Sequence, residues 1–475
     1  MINADTFHTI GICFLIYFAI VNGVYALLLL FSLRPIFFRA KVSTVEDATY
    51  TLKSNTLPEI TFLVPAYNES KKIVENVQAL LDLSYYAKQI IVINDGSSDD
   101  TLAVLQDTFD LEKVDFSFTQ IIETRPVKNV YKSKVYKRLT VIDKKRGFRY
   151  DALNAGINAC QDSYFITVDA DTVVDDEYFT KILRPLLEDE NTVAIGANVR
   201  ILNGCTFSHH QISTDEFPKD YPSSMQSIEY LRTFQMRAGW DYLGGNFVIS
   251  GAFGFFNTQL VKKIGGFGPT FANDMEIVVR LKRVLKNTPY TMSYIPHPVA
   301  WTEGPETLKE LGYQRRLWHR GLLDTLFYHK SMLFNPKYGA FGYIVYPFML
   351  FGEALEPFVE LAAYVFIFTG LGLGYISWSF VLLFLCITWF LTTIYSLLCL
   401  CVEVFTYRKY RSFKTIAYLT LFSFIEMFGY RQMTIFWRIA GAYDFFKELK
   451  IVREHSKKVN AKIKPIEKEK GGLGL

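Results

Sequence analysis

The sequence predicts an α/β domain with a mostly parallel sheet, carried by helices that cross or lie in a membrane. Three observations predict it. Short apolar runs that end in Pro or Asp-Gly alternate with helical patterns over residues 57–335, the pattern of a sheet covered by helices. An apolar run at residues 9–33 is, at about 25 residues, long enough to span a bilayer. Residues 338–443 form a second strongly apolar block. Composition agrees, with 50% apolar residues, 16% aromatic, 21% charged and a mean hydropathy of +0.14. Disordered chains are poor in aromatics, so that class is excluded, as are fibrous ones. The 475-residue length is a soft prior for about three domains. A net charge of +4 is too small to indicate a nucleic-acid partner.

The N-terminal run is too long for a signal-peptide core and has no small-residue cleavage site after it, so it reads as a transmembrane helix within residues 1–40. Arg34, Arg39 and Lys41 follow it and place the next segment in the cytoplasm. That segment, residues 41–335, is the predicted α/β domain. Its runs Ile60-Thr61-Phe62-Leu63-Val64 and Gln89-Ile90-Ile91-Val92-Ile93 are predicted strands. In such sheets ligands bind beyond the carboxyl ends of the strands.

Residues 336–445 read as transmembrane and interfacial helices. Stretches 342–372 and 376–402 are each long enough to span, but Glu353, Glu356 and Glu360 interrupt the first. Such charges should face protein or a wet cavity, in a channel-facing or interfacial helix. The cluster Arg408-Lys409-Tyr410-Arg411 marks a return to the cytoplasm, and residues 415–428 then read as a re-entrant or interfacial hairpin. Residues 446–475 form a basic cytoplasmic tail, suited either to anionic lipid or to solvent. The six cysteines (Cys13, Cys160, Cys205, Cys386, Cys399 and Cys401) contain no CxxC and read as reduced, buried small hydrophobes. Residues 203–225, with His209 and His210, read as a polar surface loop rather than a second metal site.

Five segments can carry chemistry. Val64-Pro65-Ala66-Tyr67-Asn68-Glu69 and Asn94-Asp95-Gly96-Ser97 each stand where a predicted strand becomes a turn, and a carboxylate there can meet a base or ribose; an N-D-G turn alone is more often only a turn. Phe165-Ile166-Thr167-Val168-Asp169-Ala170-Asp171 delivers two carboxylates at i and i+2 from a strand. Mg²⁺ is commonly held by one or two carboxylates plus substrate phosphates, so metal-nucleotide binding is the favoured reading over turn and capping roles. Asp274, in Ala272-Asn273-Asp274-Met275-Glu276, reads either as a helix N-cap or as a general base, and the spacing alone favours the cap. Gln314-Arg315-Arg316-Leu317-Trp318 offers arginines for phosphate and an indole for stacking, or a juxtamembrane basic helix with an interfacial Trp.

In this order and context, these motifs resemble those of the inverting, membrane-embedded family 2 glycosyltransferases, which include cellulose, hyaluronan and poly-N-acetylglucosamine synthases. The resemblance covers nearly the whole chain. It is nearest to the bacterial poly-N-acetylglucosamine-synthase branch, which also has Thr124-Arg125-Pro126-Val127 and Ala152-Leu153-Asn154-Ala155-Gly156. It implies a GT-A-like α/β fold with an α-helical transmembrane region. It assigns Ala66, Asn68, Glu69, Asp95, Arg149, Asp169, Gln314, Arg315, Arg316 and Trp318 to the nucleotide sugar, and Asp169 and Asp171 to Mg²⁺ or Mn²⁺. Asp274 matches the catalytic base of the family's T-E-D motif, and Ser250, Gly251, Ala252, Asn273 and Trp318 the acceptor side. Three motifs depart from the family pattern: Arg149 replaces the lysine of G-G-K, Ala272-Asn273 replaces Thr-Glu before the base, and Leu317 replaces the arginine of Gln-x-x-Arg-Trp. The four strand-end and base aspartates are all present.

The activity implied is metal-assisted transfer, with inversion, from a nucleotide diphosphate sugar, by resemblance a UDP-sugar, to a growing extracellular polysaccharide. Its implied partners are the donor, a glycan or lipid-linked acceptor, the bilayer and separate secretion or regulatory subunits, at a multi-pass location in the inner (plasma) membrane with the catalytic domain cytoplasmic. The competing readings are single-sugar transfer to a lipid-linked acceptor and a non-catalytic scaffold.

Overall fold

The computed structural model describes residues 4–43, 57–115, 118–208, 211–214, 217–407, 410 and 412–463. His209 and His210, Arg408, Lys409 and Arg411, and the tail from residue 464 onward lie outside the described residues. Two compact units interleave along the chain. One gathers Met1–Ala40, Glu216–Gly245 and Pro305–Val452, the other Lys41–Asp215, Asn246–Gly304 and Arg453–Leu475.

The second unit is built on a ten-stranded sheet. Its strands are β1 (Ile60–Ala66), β2 (Lys88–Asn94), β3 (Leu111–Val114), β4 (Val127–Ser133), β5 (Leu139–Lys144), β6 (Tyr164–Val168), β7 (Thr172–Val174), β8 (Thr192–Ile201), β11 (Phe253–Asn257) and β12 (Thr291–Thr302); β9 (Thr206–Ser208) and β10 (Gln211–Thr214) form a separate antiparallel pair. The order is β3-β4-β5-β2-β1-β6-β11-β8-β12-β7. Only β5, β2, β1 and β6, and the pair β8 and β12, run parallel to their neighbours; β3, β4, β7 and β11 run antiparallel to theirs. The sheet is therefore mixed, a correction to the mostly parallel sheet expected from alternating strand and helix signals. The parallel core is nevertheless what those signals encode. Strands β1, β2 and β6 are almost continuously apolar because both of their faces are covered. The helix Phe148–Ala159 buries Ala152, Leu153, Ala155 and Ile157 against Leu63 and Ile93. At Gly156 an added Cβ would come within 3.0 Å of both Leu63 and Ile93, so glycine lets this helix approach the sheet closely. The β9–β10 pair and the first turn of the helix Tyr221–Tyr242 replace the surface loop expected over residues 203–225.

The first unit carries the apolar helices. Two are long and apolar enough to cross a membrane, Asp5–Phe37 within the helix Ala4–Ser43, and Trp378–Tyr407. Stretch 342–372 is not one straight span: a largely π-helical piece, Phe341–Ala354, meets Glu356–Gly372 at a bend of 45°. Phe413–Ile425 is a shorter apolar helix. Large apolar side chains such as Ile12, Ile16, Ile20, Leu382, Leu383 and Phe390 are exposed on these helices, as lipid contact requires. Cys13, Cys386 and Cys401 are likewise exposed, so only Cys160 and Cys399 fit the buried expectation fully.

The glutamates face protein, as their cost in lipid demands. Arg431 donates to Glu356 (2.8 Å) and Glu360 (2.7 Å), Arg438 pairs with Glu356, and the Tyr25 hydroxyl donates to Glu353 at 2.6 Å. Arg232, on the helix Tyr221–Tyr242, pairs in the same manner with Glu426 and donates to Ser396 at 2.8 Å. The pairs made by Arg431 and Arg438 tie the helix Tyr430–Lys447 to the bent pair.

Candidate active site

Strand register decides which side chains meet. Ala66 pairs with Asn94, and Asn94 with Asp143, so the next residues along β2 and β5, Asp95 and Lys144, emerge side by side. Leu63 pairs with Thr167, which carries Asp169 to the end of β1. Antiparallel β11 starts where β6 stops, Phe253 opposite Val168, so the segment Ser250-Gly251-Ala252 arrives beside Asp169.

The result is a cleft of about 280 Å³ at the carboxyl ends of the central strands, lined by Ala66, Tyr67, Glu69, Asp95, Arg146, Phe148, Arg149, Asp169 and Asp171 among others. The loop after β1 and the loop after β2 are stitched together: Asn68 accepts from the Ser98 amide (2.8 Å), and the Glu69 amide donates to the Thr101 hydroxyl (2.8 Å). Gly96 makes the turn with φ +68°, where an added Cβ would stand 2.9 Å from the Arg146 amide nitrogen; only glycine fits both demands. Asp95 lies beneath, accepting from the Lys144 ammonium (2.8 Å) and the Gly147 amide (2.9 Å). Burial pushes the Asp95 carboxyl up, against the pull of Lys144.

Arg149, in the first turn of the helix Phe148–Ala159, links three segments. Its Nε and Nη2 reach Asp169 Oδ1 at 2.9 and 2.7 Å, its Nη1 donates to Asn273 Oδ1 at 2.6 Å, and Nη2 donates to the Gly251 carbonyl at 2.7 Å. Asp274 Oδ2 accepts from the Gly251 amide at 3.1 Å. The helix that carries it runs Asn273–Val284 with Ala272 as its N-cap. Asp274 is therefore not the cap, and the capping reading that its spacing favoured is set aside.

Two family models match the chain. "Glycosyl transferase family 2" matches residues 61–265, which span the strand-end motifs. "Glycosyl transferase family group 2" matches residues 164–407, more than half of the chain, from β6 through the second long apolar helix. The chain belongs to the family 2 glycosyltransferases. It is 28% identical over 264 residues to the poly-beta-1,6-N-acetyl-D-glucosamine synthase of Staphylococcus epidermidis, covering 55% of this chain and 54% of that one. To the synthase of the same name from Staphylococcus aureus it is 29% identical over 266 residues, 56% of this chain and 55% of that one. The chain thus matches these curated relatives over about half their length. A solved mannosyltransferase from Pyrobaculum calidifontis, in complex with GDP-Man and Mn2+, aligns at 14% identity and a TM-score of 0.47, over 86% of this chain and 99% of that one.

The mixed sheet of this family 2 glycosyltransferase is GT-A-like, and its cleft holds an excess of like charge. Burial and the charge of Asp169 push Asp171 up to about 6, while its Oδ1 accepts from the Thr302 and Thr172 hydroxyls at 3.1 and 3.3 Å. Burial and the charge of Asp171 push Glu69 up to about 7. Among the described residues no group of three His, Cys, Asp or Glu forms a metal cage. Two carboxylates that repel each other, with other ligands left to phosphate and water, nonetheless fit Mg²⁺ or Mn²⁺, which keep waters and substrate oxygens in their shells.

Of the residues singled out in the sequence, Ala66, Glu69, Asp95, Arg149, Asp169 and Asp171 line the cleft, Gly251 and Asn273 join it through Arg149 and Asp274 through the Gly251 amide, and Asn68, Ser250 and Ala252 flank these. Gln314, Arg315, Arg316 and Trp318 belong to the other unit, on the helix Leu308–Tyr328. There Arg315 pairs with Glu229 at 2.7 Å and lies 4.5 Å from the Trp318 ring centroid, and Arg316 pairs with Asp444. Three participants escaped the sequence reading. Lys144 is fully buried and pairs with both Asp95 and Asp151 (2.5 Å). Arg146 lies over the Tyr67 ring, 3.2 Å from its centroid. Phe148 sits at the cleft with φ +67°, a left-handed conformation rare for a side chain of this size. The apolar run of β5, ending in Lys144, is the signal that could have revealed the first.

Proposed function

We propose that this chain is an inverting, metal-dependent transferase that takes a sugar from a UDP-sugar and adds it to a growing polysaccharide, which its membrane helices help to move outward. The observation that carries the reading is the convergence of Asp95, Asp169, Asp171, Arg149 and Asp274 on one cleft at the strand ends. The printed names of the staphylococcal relatives support N-acetylglucosamine as the sugar and a β-1,6-linked polymer as the product. Under this reading Asp95 meets the base or ribose, while Tyr67 and the Arg146 stacked on it offer a flat, cationic surface to the nucleoside end. Asp169 and Asp171 hold the ion, which when bound supplies counter-charge to the departing diphosphate. Arg149 offers the diphosphate a planar donor fork. Asp274 takes the proton of the acceptor hydroxyl as that oxygen attacks the anomeric carbon from the face opposite the diphosphate. The chain is multi-pass in the plasma membrane, with residues 41–335 as its cytoplasmic catalytic domain and residues 446–475 as a cytoplasmic tail.

A second reading, single-sugar transfer to a lipid-linked acceptor, is favoured by one observation: Glu353, Glu356 and Glu360 are engaged by Tyr25, Arg431 and Arg438 rather than left to line a glycan path.

The charge excess gives a test. A cation arriving with UDP must displace protons from Asp171 and Glu69, whose pKa values are raised to about 6 and about 7. Affinity for UDP with Mn²⁺ should therefore rise as pH goes from 5.5 to about 7.5 and then level off. Glu69→Gln should flatten the upper half of that rise. Calorimetric titration over this pH range checks it; UDP affinity that ignores both Mn²⁺ and pH would remove the metal from the reading.

A further inference from the structure

We propose that Arg149 acts as an internal cation on Asp169 in the donor-free protein, so that a divalent ion enters together with the diphosphate and not before it. The inference rests on the reading of Asp169 and Asp171 as metal ligands. Every nitrogen of the Arg149 guanidinium is engaged: Nε and Nη2 with Asp169, Nη2 also with the Gly251 carbonyl, Nη1 with Asn273. Asp171 is engaged as well, by the hydroxyls of Thr172 and Thr302. Oδ1 of both carboxylates is thus taken, and an ion shared between Asp169 and Asp171 comes up against the Arg149 guanidinium on the Asp169 side.

A divalent ion bound to either oxygen of Asp169 would stand within one carboxylate's width of a guanidinium held 2.7 Å from Oδ1. Arginine cannot relieve that repulsion by losing a proton. The two cations compete for one negative charge, and the ion binds best when the guanidinium leaves the carboxylate. The guanidinium loses its only charged partner in this set when it does, because Asn273 and the Gly251 carbonyl are neutral. A diphosphate supplies the missing anion, with oxygens matched to the planar fork. Exchange is thus favourable when ion and diphosphate arrive as a pair and unfavourable for the ion alone. Arg149 and Asn273, which belong to two of the three motifs that depart from the family pattern, are in direct contact, and the neutral amide is what leaves Asp169 as the charged partner of Arg149. Arg149 is in this sense a positioning residue that couples metal to nucleotide.

The test is a Mn²⁺ titration of the full chain in lipid nanodiscs, followed by the electron paramagnetic resonance signal of free Mn²⁺, with and without UDP. Wild type is expected to bind Mn²⁺ at least about tenfold more tightly with UDP than without it, and Arg149→Gln to bind Mn²⁺ alone about tenfold more tightly than wild type does, so that the gain from UDP shrinks. Arg149→Lys, whose single ammonium cannot span all three segments, should fall between the two and carries the test if the glutamine variant does not fold. If wild type shows the UDP-dependent gain but neither variant binds free Mn²⁺ more tightly, the inference alone falls. If no chain binds Mn²⁺ under any condition while UDP still binds, the metal reading falls and takes the inference with it.

Discussion

Asp274→Asn should lower the rate of sugar transfer about a thousandfold while leaving donor affinity nearly unchanged, the size and signature of losing a positioned general base. The substitution is close to isosteric. Its amide oxygen can still accept from one of the two backbone amides that Asp274 serves, Gly251 on Oδ2 at 3.1 Å or Met275 on Oδ1 at 2.9 Å, so one of the two bonds is kept. What disappears is the capacity to take a proton from the acceptor hydroxyl. Single-turnover measurement of nucleotide release separates the steps: the chemical rate should collapse while the donor titration curve stays in place. A rate within tenfold of wild type would assign the base elsewhere.

Lys144→Met should destabilise the α/β unit by about 3–5 kcal/mol, because it removes the one charge that a buried pair of carboxylates shares. Lys144 is fully buried, 2.8 Å from Asp95 and 2.5 Å from Asp151, and both of those side chains are themselves buried. Asp151 holds further bonds from the Arg125 amide, so it cannot turn away to solvent without undoing the start of β4. Methionine fills the volume but leaves two carboxylates facing each other in a dry site. A thermal melt in nanodiscs should show a drop of many degrees, partly restored by adding Asp151→Asn, which removes one of the stranded charges. A melt within a degree or two of wild type would mean that Lys144 is not the counter-ion the geometry makes it.

The strand-end carboxylates were legible in the sequence because Asp95, Asp169 and Asp171 each end an apolar run at a turn, and parallel strands bring their carboxyl ends to one edge. The pairing of strands was not legible. Nothing in the periodicity of Phe253–Asn257 says that it enters antiparallel between β6 and β8, yet that insertion is what sets Gly251 beside Asp169. Asp274 shows the same limit from the helix side: a carboxylate opening a helix looks like a cap until the backbone places the cap at Ala272. Lys144 was missed because a lysine after an apolar run ordinarily reaches water, and only the register of β2 against β5 reveals Asp95 next to it. In the apolar helices, the three glutamates announced buried partners, but the partners Arg431 and Arg438 lie 71 to 85 residues further along the chain, beyond any local pattern. The Gln314–Trp318 motif is legible as a motif only; its ion pairs with Glu229 and Asp444 belong to the helical unit.

The central claim, metal-dependent sugar transfer from this cleft, is tested most directly by nucleoside diphosphate release from the full chain in lipid nanodiscs. The chain is incubated with a panel of UDP- and GDP-sugars and Mn²⁺ or Mg²⁺, with product sizing on any donor that turns over. The account predicts release from one UDP-sugar, with UDP-N-acetylglucosamine first in line, abolished by chelation and by Asp274→Asn, and accompanied by a polymer. Silence across the whole panel from folded chain that still binds UDP would contradict it, and would make the cleft a nucleotide-binding scaffold instead of a transferase.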